Sequence, residues 1–167
     1  TNPTLVTLAN AGGGLVSVTS TGGGDIFLEG VDLSGVGTGG SLTLVSSGVI
    51  DGGLLSGVSD FLTTSTGTLT MTSNGTIGFN NYVDATAGTI NVVSTNDNAA
   101  YVVSFNNTMA TTTVNADVGT DGFFYQNDIG DVAIGSISGD AFVNVFATAV
   151  GGDIVDNATD ALADITS

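Results

Sequence analysis

Residues 40–50 and 67–77 are two copies of one string. Gly40-Ser-Leu-Thr-Leu-Val-Ser-Ser-Gly-Val-Ile50 aligns without a gap on Gly67-Thr-Leu-Thr-Met-Thr-Ser-Asn-Gly-Thr-Ile77, with six of eleven positions identical and an offset of 27 residues. Self-similarity at a period of roughly 20 to 50 residues is the signature of a repeat architecture. The same offset taken backward reaches Gly13-Gly-Leu-Val-Ser-Val-Thr-Ser20, which sets Leu15, Leu42 and Leu69 at equal intervals. Forward, Gly88-Thr-Ile-Asn-Val-Val-Ser94, Gly130-Asp-Val-Ala-Ile134 and Gly152-Asp-Ile-Val155 continue the series, with Ala110-Thr-Thr-Thr-Val114 as a degenerate middle copy. The repeat length drifts between 21 and 27 residues.

Each copy reads Gly, small polar, apolar, polar, apolar, the period-two alternation of a half-buried strand. A second strand per turn is expected at Ile26 to Leu28, Val49 to Ile50, Ile77 to Phe79 and Tyr101 to Val103. Asp51-Gly-Gly53, Asn80-Asn81 and Asn96-Asp-Asn98 supply the left-handed and Asx-turn conformations that tight corners need. Only Asp156 to Ile165 offers a helix, capped by Asn157 or Thr159 with Ala161, Leu162 and Ile165 inward. An antiparallel sandwich has no reason to place similar residues at equal offsets, whereas a parallel β-helix stacks every copy on the last. The expectation is therefore an all-β parallel β-solenoid of about seven turns, a rod roughly 30 Å long at the usual strand spacing. Residues 1–167 read as one solenoid domain, a segment or processed unit of a longer polypeptide or a filament subunit.

Composition then closes off most chemistry. The chain has 16 acidic residues and no Lys, Arg or His, a formal net charge of −16. Without a side-chain cation it has nothing to neutralise phosphates, read guanine or follow an anionic membrane, so nucleic acid and acidic lipid are poor partners, and with no run of eighteen apolar residues no membrane insertion is expected. Nucleophilic triads need an imidazole and Schiff-base chemistry needs an amine. Carboxylates alone remain as acids and bases. With no Cys, disulfides and thiolate zinc sites are also absent. The apolar 41% lies in short pieces, and its Val, Ile, Leu and Phe content sets the chain apart from disordered acidic polymers.

The two aligned copies, Gly-[Ser/Thr]-Leu-Thr-[Leu/Met]-x-Ser-x-Gly-x-Ile at 40–50 and 67–77, resemble the degenerate repeats of filamentous-haemagglutinin-type bacterial exported adhesins and surface proteins. The resemblance covers roughly residues 13 to 156. It implies a right-handed parallel β-helix, export from the cell and a structural or adhesive role. The amino-terminal secretion domain of that family has no counterpart in this sequence.

Four groups of residues are candidates for function. Asp117 with Asp121, Asp128 with Asp131, and Asp153 with Asp156 present the hard oxygens that calcium takes, which makes calcium the candidate cofactor. The plainer reading is that these Asp residues cap corners and keep the rod soluble. Phe123, Phe124 and Tyr125 are candidate exposed aromatics, since alternation sends at least one ring outward toward a glycan or a neighbouring subunit. The Thr68, Thr70, Thr72 and Thr111, Thr113 ladders would line a flat hydroxyl face, although outward Thr is also simply a good strand former. Asn74, Asn106 and Asn157 open glycosylation triplets.

Paired carboxylates do serve glycoside hydrolysis, but β-helical enzymes of that kind surround the sugar with basic residues that this chain lacks, so no enzymatic activity is expected. A solenoid ends in strands with unpaired backbone groups. Thr4, Leu5, Val6, Thr7 and Leu8 at one end, with Ile154, Val155, Leu162 and Ile165 at the other, are the expected contacts of a head-to-tail homo-oligomer or filament. The expected function is an extracellular or cell-surface structural protein that stacks end to end. The alternative is an adhesin segment that binds glycans or a host surface.

Overall fold

The structure, a computed structural model, describes residues 4–6, 14–34, 39–53, 60–64, 66–78, 80–104, 111–128, 130–156 and 165–166. They form strands β1 (Thr4–Val6), β2 (Leu15–Ser20), β3 (Ile26–Leu28), β4 (Val31–Asp32), β5 (Ser41–Ser46), β6 (Ile50–Gly52), β7 (Phe61–Leu62) and β8 (Thr68–Ser73). Further along are β9 (Val83–Thr86), β10 (Thr89–Ser94), β11 (Ala100–Ser104), β12 (Thr111–Asp117), β13 (Gly122–Asn127), β14 (Asp131–Ser138), β15 (Phe142–Ala147), β16 (Ile154–Asp156) and β17 (Ile165–Thr166). The strand pairs are parallel, and neighbours in a sheet are one turn apart in sequence. One long sheet runs β16-β14-β12-β10-β8-β5-β2, with β17 also on β14. The opposite side holds β15-β13-β11-β9-β7-β4, and β1-β3-β6 joins it through single bridges from Ile50 to Ile77 to Ala100. The molecule is a parallel β-solenoid.

The solenoid makes about five turns, fewer than the expected seven. Among the described residues there is no helix. The segment expected to be helical begins in β16 at Asp156 and returns to strand at Ile165, and the residues between lie outside the described set.

The 27-residue offset holds where the copies are best: Leu42 pairs with Leu69, Leu44 with Met71 and Ile50 with Ile77. It fails by one residue at the start. Val16, not Leu15, pairs with Leu42, and Leu15 is 74% exposed. A one-residue slip sends every side chain to the other face. With Leu15 inward, Ser17 and Thr19 would enter the core; the observed register turns Val16 and Val18 toward it instead. The degenerate middle copy slips by two, which keeps its faces: Val114 stacks on Ile90, and Ala116 on Val92. A bulge between Val114 and Asn115 then realigns β12 with β14 around Gly135.

The core consists of axial columns. Val16, Leu42, Leu69, Ile90, Val114 and Ile134 stack in one, with Val18, Leu44, Met71, Val92 and Ala116 beside it. From the facing sheet come Ile26, Ile50, Ile77, Ala100 and Phe123. Each fully buried Leu, Ile, Val, Phe or Met contributes about 1.5–3 kcal/mol of hydrophobic transfer. The Ser in each aligned copy proves to be a corner device. Ser46 and Ser73 stack in register, buried, and donate Oγ–H to the carbonyls of Gly24 (2.8 Å) and Gly48 (2.6 Å). Each also accepts the N–H two residues on, from Gly48 and Gly75, both at 3.1 Å. Corner backbone groups are thus satisfied by neutral hydroxyls, as a chain without cations requires. Asp97 takes the left-handed conformation at φ 55°, as its Asn-Asp-Asn setting predicts. Gly78, at φ 71°, lies against the Tyr101 carbonyl, where a Cβ would collide.

Candidate functional site

Outward positions of β11, β13 and β15, together with the residue before β9, carry a strip of rings. Alternation turns Val83, Val102, Phe123 and Tyr125 into the core and leaves Tyr101 and Phe124 outward, paired in register. Tyr82, just before β9, stacks on both, with centroids 6.0 Å from Tyr101 and 5.7 Å from Phe124. Phe146 lies 5.7 Å from Phe124, and Phe142 lies 6.2 Å from Tyr101. The Phe142 ring occupies the space over Gly122, its register partner, where any Cβ would collide with it. Tyr82 is 50% exposed and Phe146 44%.

Of the three aromatics expected outside, only Phe124 belongs to this strip. Phe123 and Tyr125 are fully buried, because the inward columns continue through their two positions. Composition around residue 124 drew attention to a triplet of rings, whereas the surface is built from one ring per turn. The legible signal was Phe142-x-Asn-x-Phe146, a period-two pair, together with single tyrosines one turn apart at 82 and 101.

The ends are the second candidate surface. β1 pairs with β3, and β2 with β5; on the far side of each no strand pairs among the described residues. At the other end β15 and β16 are likewise edge strands. The inward side chains Val16 and Val18 at one end, and Val143, Val145 and Ala147 at the other, are only half-buried. Ile154, Val155 and Ile165 are exposed beside them. Thr4, Leu5 and Val6 fall in β1 as expected, while Thr7, Leu8 and Leu162 lie outside the described residues.

The Asp candidates are spread over corners rather than gathered. Asp121 accepts the N–H of Gly122 at 2.8 Å, and Asp131 accepts that of Asp153 at 2.9 Å. Asp128 accepts from Gln126 Nε2 at 2.7 Å and from the Thr148 hydroxyl. Asp117 ends β12, and Asp156 ends β16. No group of three or more carboxylates among the described residues is placed to hold a metal ion. Asn74 is exposed, and its side-chain oxygen accepts from Thr95 Oγ1; Asn106 and Asn157 lie outside the described residues.

Two further features have no signal in the sequence pattern. Asp60 is buried beside β7, with Oδ1 accepting the Gly53 N–H at 2.7 Å and Oδ2 the Asp84 N–H at 2.8 Å. Burial pushes its carboxyl up to about 7, against the pull of those two N–H bonds; the charges of Asp84 and Glu29 add to the rise. On the outer face of the long sheet an amide ladder runs from Asn115 to Asn91 (2.8 Å) to Thr70 (3.2 Å). Beside it, next to the register shift after Val114, lies a shallow hollow of about 260 Å³ bordered by Val93, Asn115, Asp117 and Ser136. The Thr68, Thr70 and Thr72 side chains do line this face.

These surfaces define a β-solenoid repeat protein with a ring strip on one side, polar ladders on the other and, among the described residues, a strand edge without a partner at each end. No family model, curated protein or solved structure matches the chain.

Proposed function

We propose that the chain is a non-catalytic structural protein of the cell exterior, of filamentous-haemagglutinin type, whose copies stack end to end into a filament. The observation that supports this reading is the pair of strand layers at opposite ends, each with half-buried core residues and edges on which no strand pairs among the described residues. The contact joins unlike surfaces, so it need not close into a ring. Parallel pairing of β16 and β15 onto β2 and β1 of the next copy would continue the columns of Val and Ile side chains. Like charge opposes it, since every copy carries −16. Salt or divalent cations such as calcium therefore promote assembly by screening, the Debye length falling from about 10 Å at 0.1 M to about 3 Å at 1 M.

Electron microscopy and light scattering test the proposal. Filaments are expected to lengthen with salt and calcium, and Ile154→Glu, which puts a charge into the end layer, is expected to suppress them. Monomers at every ionic strength tried would overturn it. The ring strip favours the second reading, an adhesin segment that binds glycans or a host surface. Saturable glycan binding by unassembled chain, lost on Phe124→Ala, would favour that reading over the filament.

A further inference from the structure

The ring strip runs along the flank of the solenoid from Tyr82, beside β9, to Phe142 and Phe146 on the edge strand β15, and a cation can reach its outward rings without any end-to-end contact between copies. Its borders are acidic. Asp121 stands immediately before β13, and Asp140 two residues before Phe142 at the start of β15, on one side of the rings. Asp84 lies on the other, in the row that runs through Val103 and Gln126 to Phe146, and Asp128 lies just past the end of β13, two residues beyond Gln126. Five rings in contact thus run across four turns between four carboxylates. Ring faces attract cations through their quadrupole, and the attraction grows as the cation is desolvated. The chain has no Lys, Arg or His of its own to lie on them.

We propose that this strip docks a basic, Arg- or Lys-rich segment of a partner protein. Its cations stack on Tyr82, Phe124 and Phe146 and pair with Asp84 and Asp128 at the rim. Charge complementarity selects the occupant. An acidic glycan, a nucleic acid or a second copy laid alongside is repelled by a surface of one sign, and a neutral glycan gains from the rings but nothing from the charges. A guanidinium uses both, because it stacks flat on a ring and reaches a carboxylate with its edge.

Binding of a fluorescent peptide of alternating Arg and Gly to the full chain, followed by anisotropy, tests this. Tyr82→Leu with Phe146→Leu keeps apolar area but removes two ring faces, and is expected to weaken binding about tenfold. The control, Asp153→Asn with Asp156→Asn, removes two charges far from the strip and is expected to change binding less than about twofold. The ring-dependent difference should survive at ~0.5 M salt, where diffuse attraction to a polyanion is screened. Circular dichroism reports folding; if the double variant unfolds, Tyr82→Leu alone, at the most exposed ring, is expected to lose about threefold. Equal binding by the ring variant and the parent would mean that net charge alone holds the peptide, and would overturn the proposal. So would displacement of the peptide by a neutral oligosaccharide such as cellohexaose at lower concentration than by unlabelled peptide.

Discussion

Asp60 gives the chain an inverted response to acid. Its carboxyl titrates near 7 in the fold instead of 3.8, with burial the largest cause. A folded-state pKa above the unfolded one means that the fold holds a proton the unfolded chain has released. The associated stability is complete below about pH 3.8 and is lost as pH rises through about 7. At 1.36 kcal/mol per unit, the rise amounts to about 4 kcal/mol between the two limits, a large share of a small domain's 5–15 kcal/mol. Urea unfolding measured from about pH 8 down to about pH 4, with ~0.5 M salt to screen the other carboxylates, should show increasing stability. Asp60→Asn isolates the effect. The amide can accept from Gly53 or from Asp84 but not from both, and loses about 1 kcal/mol for the missing bond. It also carries no charge to desolvate, so the variant should match or exceed the parent near pH 8, fall below it near pH 5 and show a flatter profile. A parent whose stability is constant or falls on acidification, or an Asn variant that keeps the full slope, would refute the reasoning.

The core columns make two sharper demands. Met71→Ala, which empties a fully buried slot between Leu44 and Val92, should cost about 2–5 kcal/mol in the same urea assay, whereas Thr70→Ala beside it, outward, should cost under about 1 kcal/mol. Val16→Ser should destabilise the first turn and Leu15→Ser should not, measured by hydrogen exchange across β2 and β5; the reverse order would restore the 27-residue register and move Leu15 inward.

What the sequence made legible was whatever recurs at fixed spacing. Two copies with Leu, Leu/Met and Ile in matching slots specified parallel stacking, because each slot must meet its own kind one turn away. Ser46 and Ser73 recur for an equally physical reason, since both of their turns meet a glycine carbonyl at the same corner. Register at β2 was not legible. Both parities offer apolar residues there, Leu15 on one and Val16 with Val18 on the other, and only the burial of two rather than one decides it. The ring strip was obscured for a related reason. Its members come one from each turn, at intervals that vary with corner length, so no local window contains more than two of them. Asp60 follows a segment with no counterpart in the aligned copies, and nothing in its own neighbourhood announces that two distant backbone amides converge on it.

A chain with no cation has to satisfy its buried acceptors with neutral donors, and the solenoid does so by repetition. Asp51, fully buried, accepts the backbone N–H of Asn80 at 3.2 Å and its side-chain amide at 2.8 Å; Asp60 takes two backbone N–H groups. Each of these donors comes from a neighbouring turn or loop, so the carboxylate ties one layer to the next where another protein would use an ion pair. The same economy leaves the exterior with a single sign of charge. Solvent and salt absorb that charge along most of the rod, but beside the rings of Tyr82, Phe124 and Phe146 the rim carboxylates meet an apolar surface that water leaves readily. An arriving cation is held most strongly where it loses least by shedding water, which places the strip, rather than any of the more numerous corner aspartates, at the point of recognition.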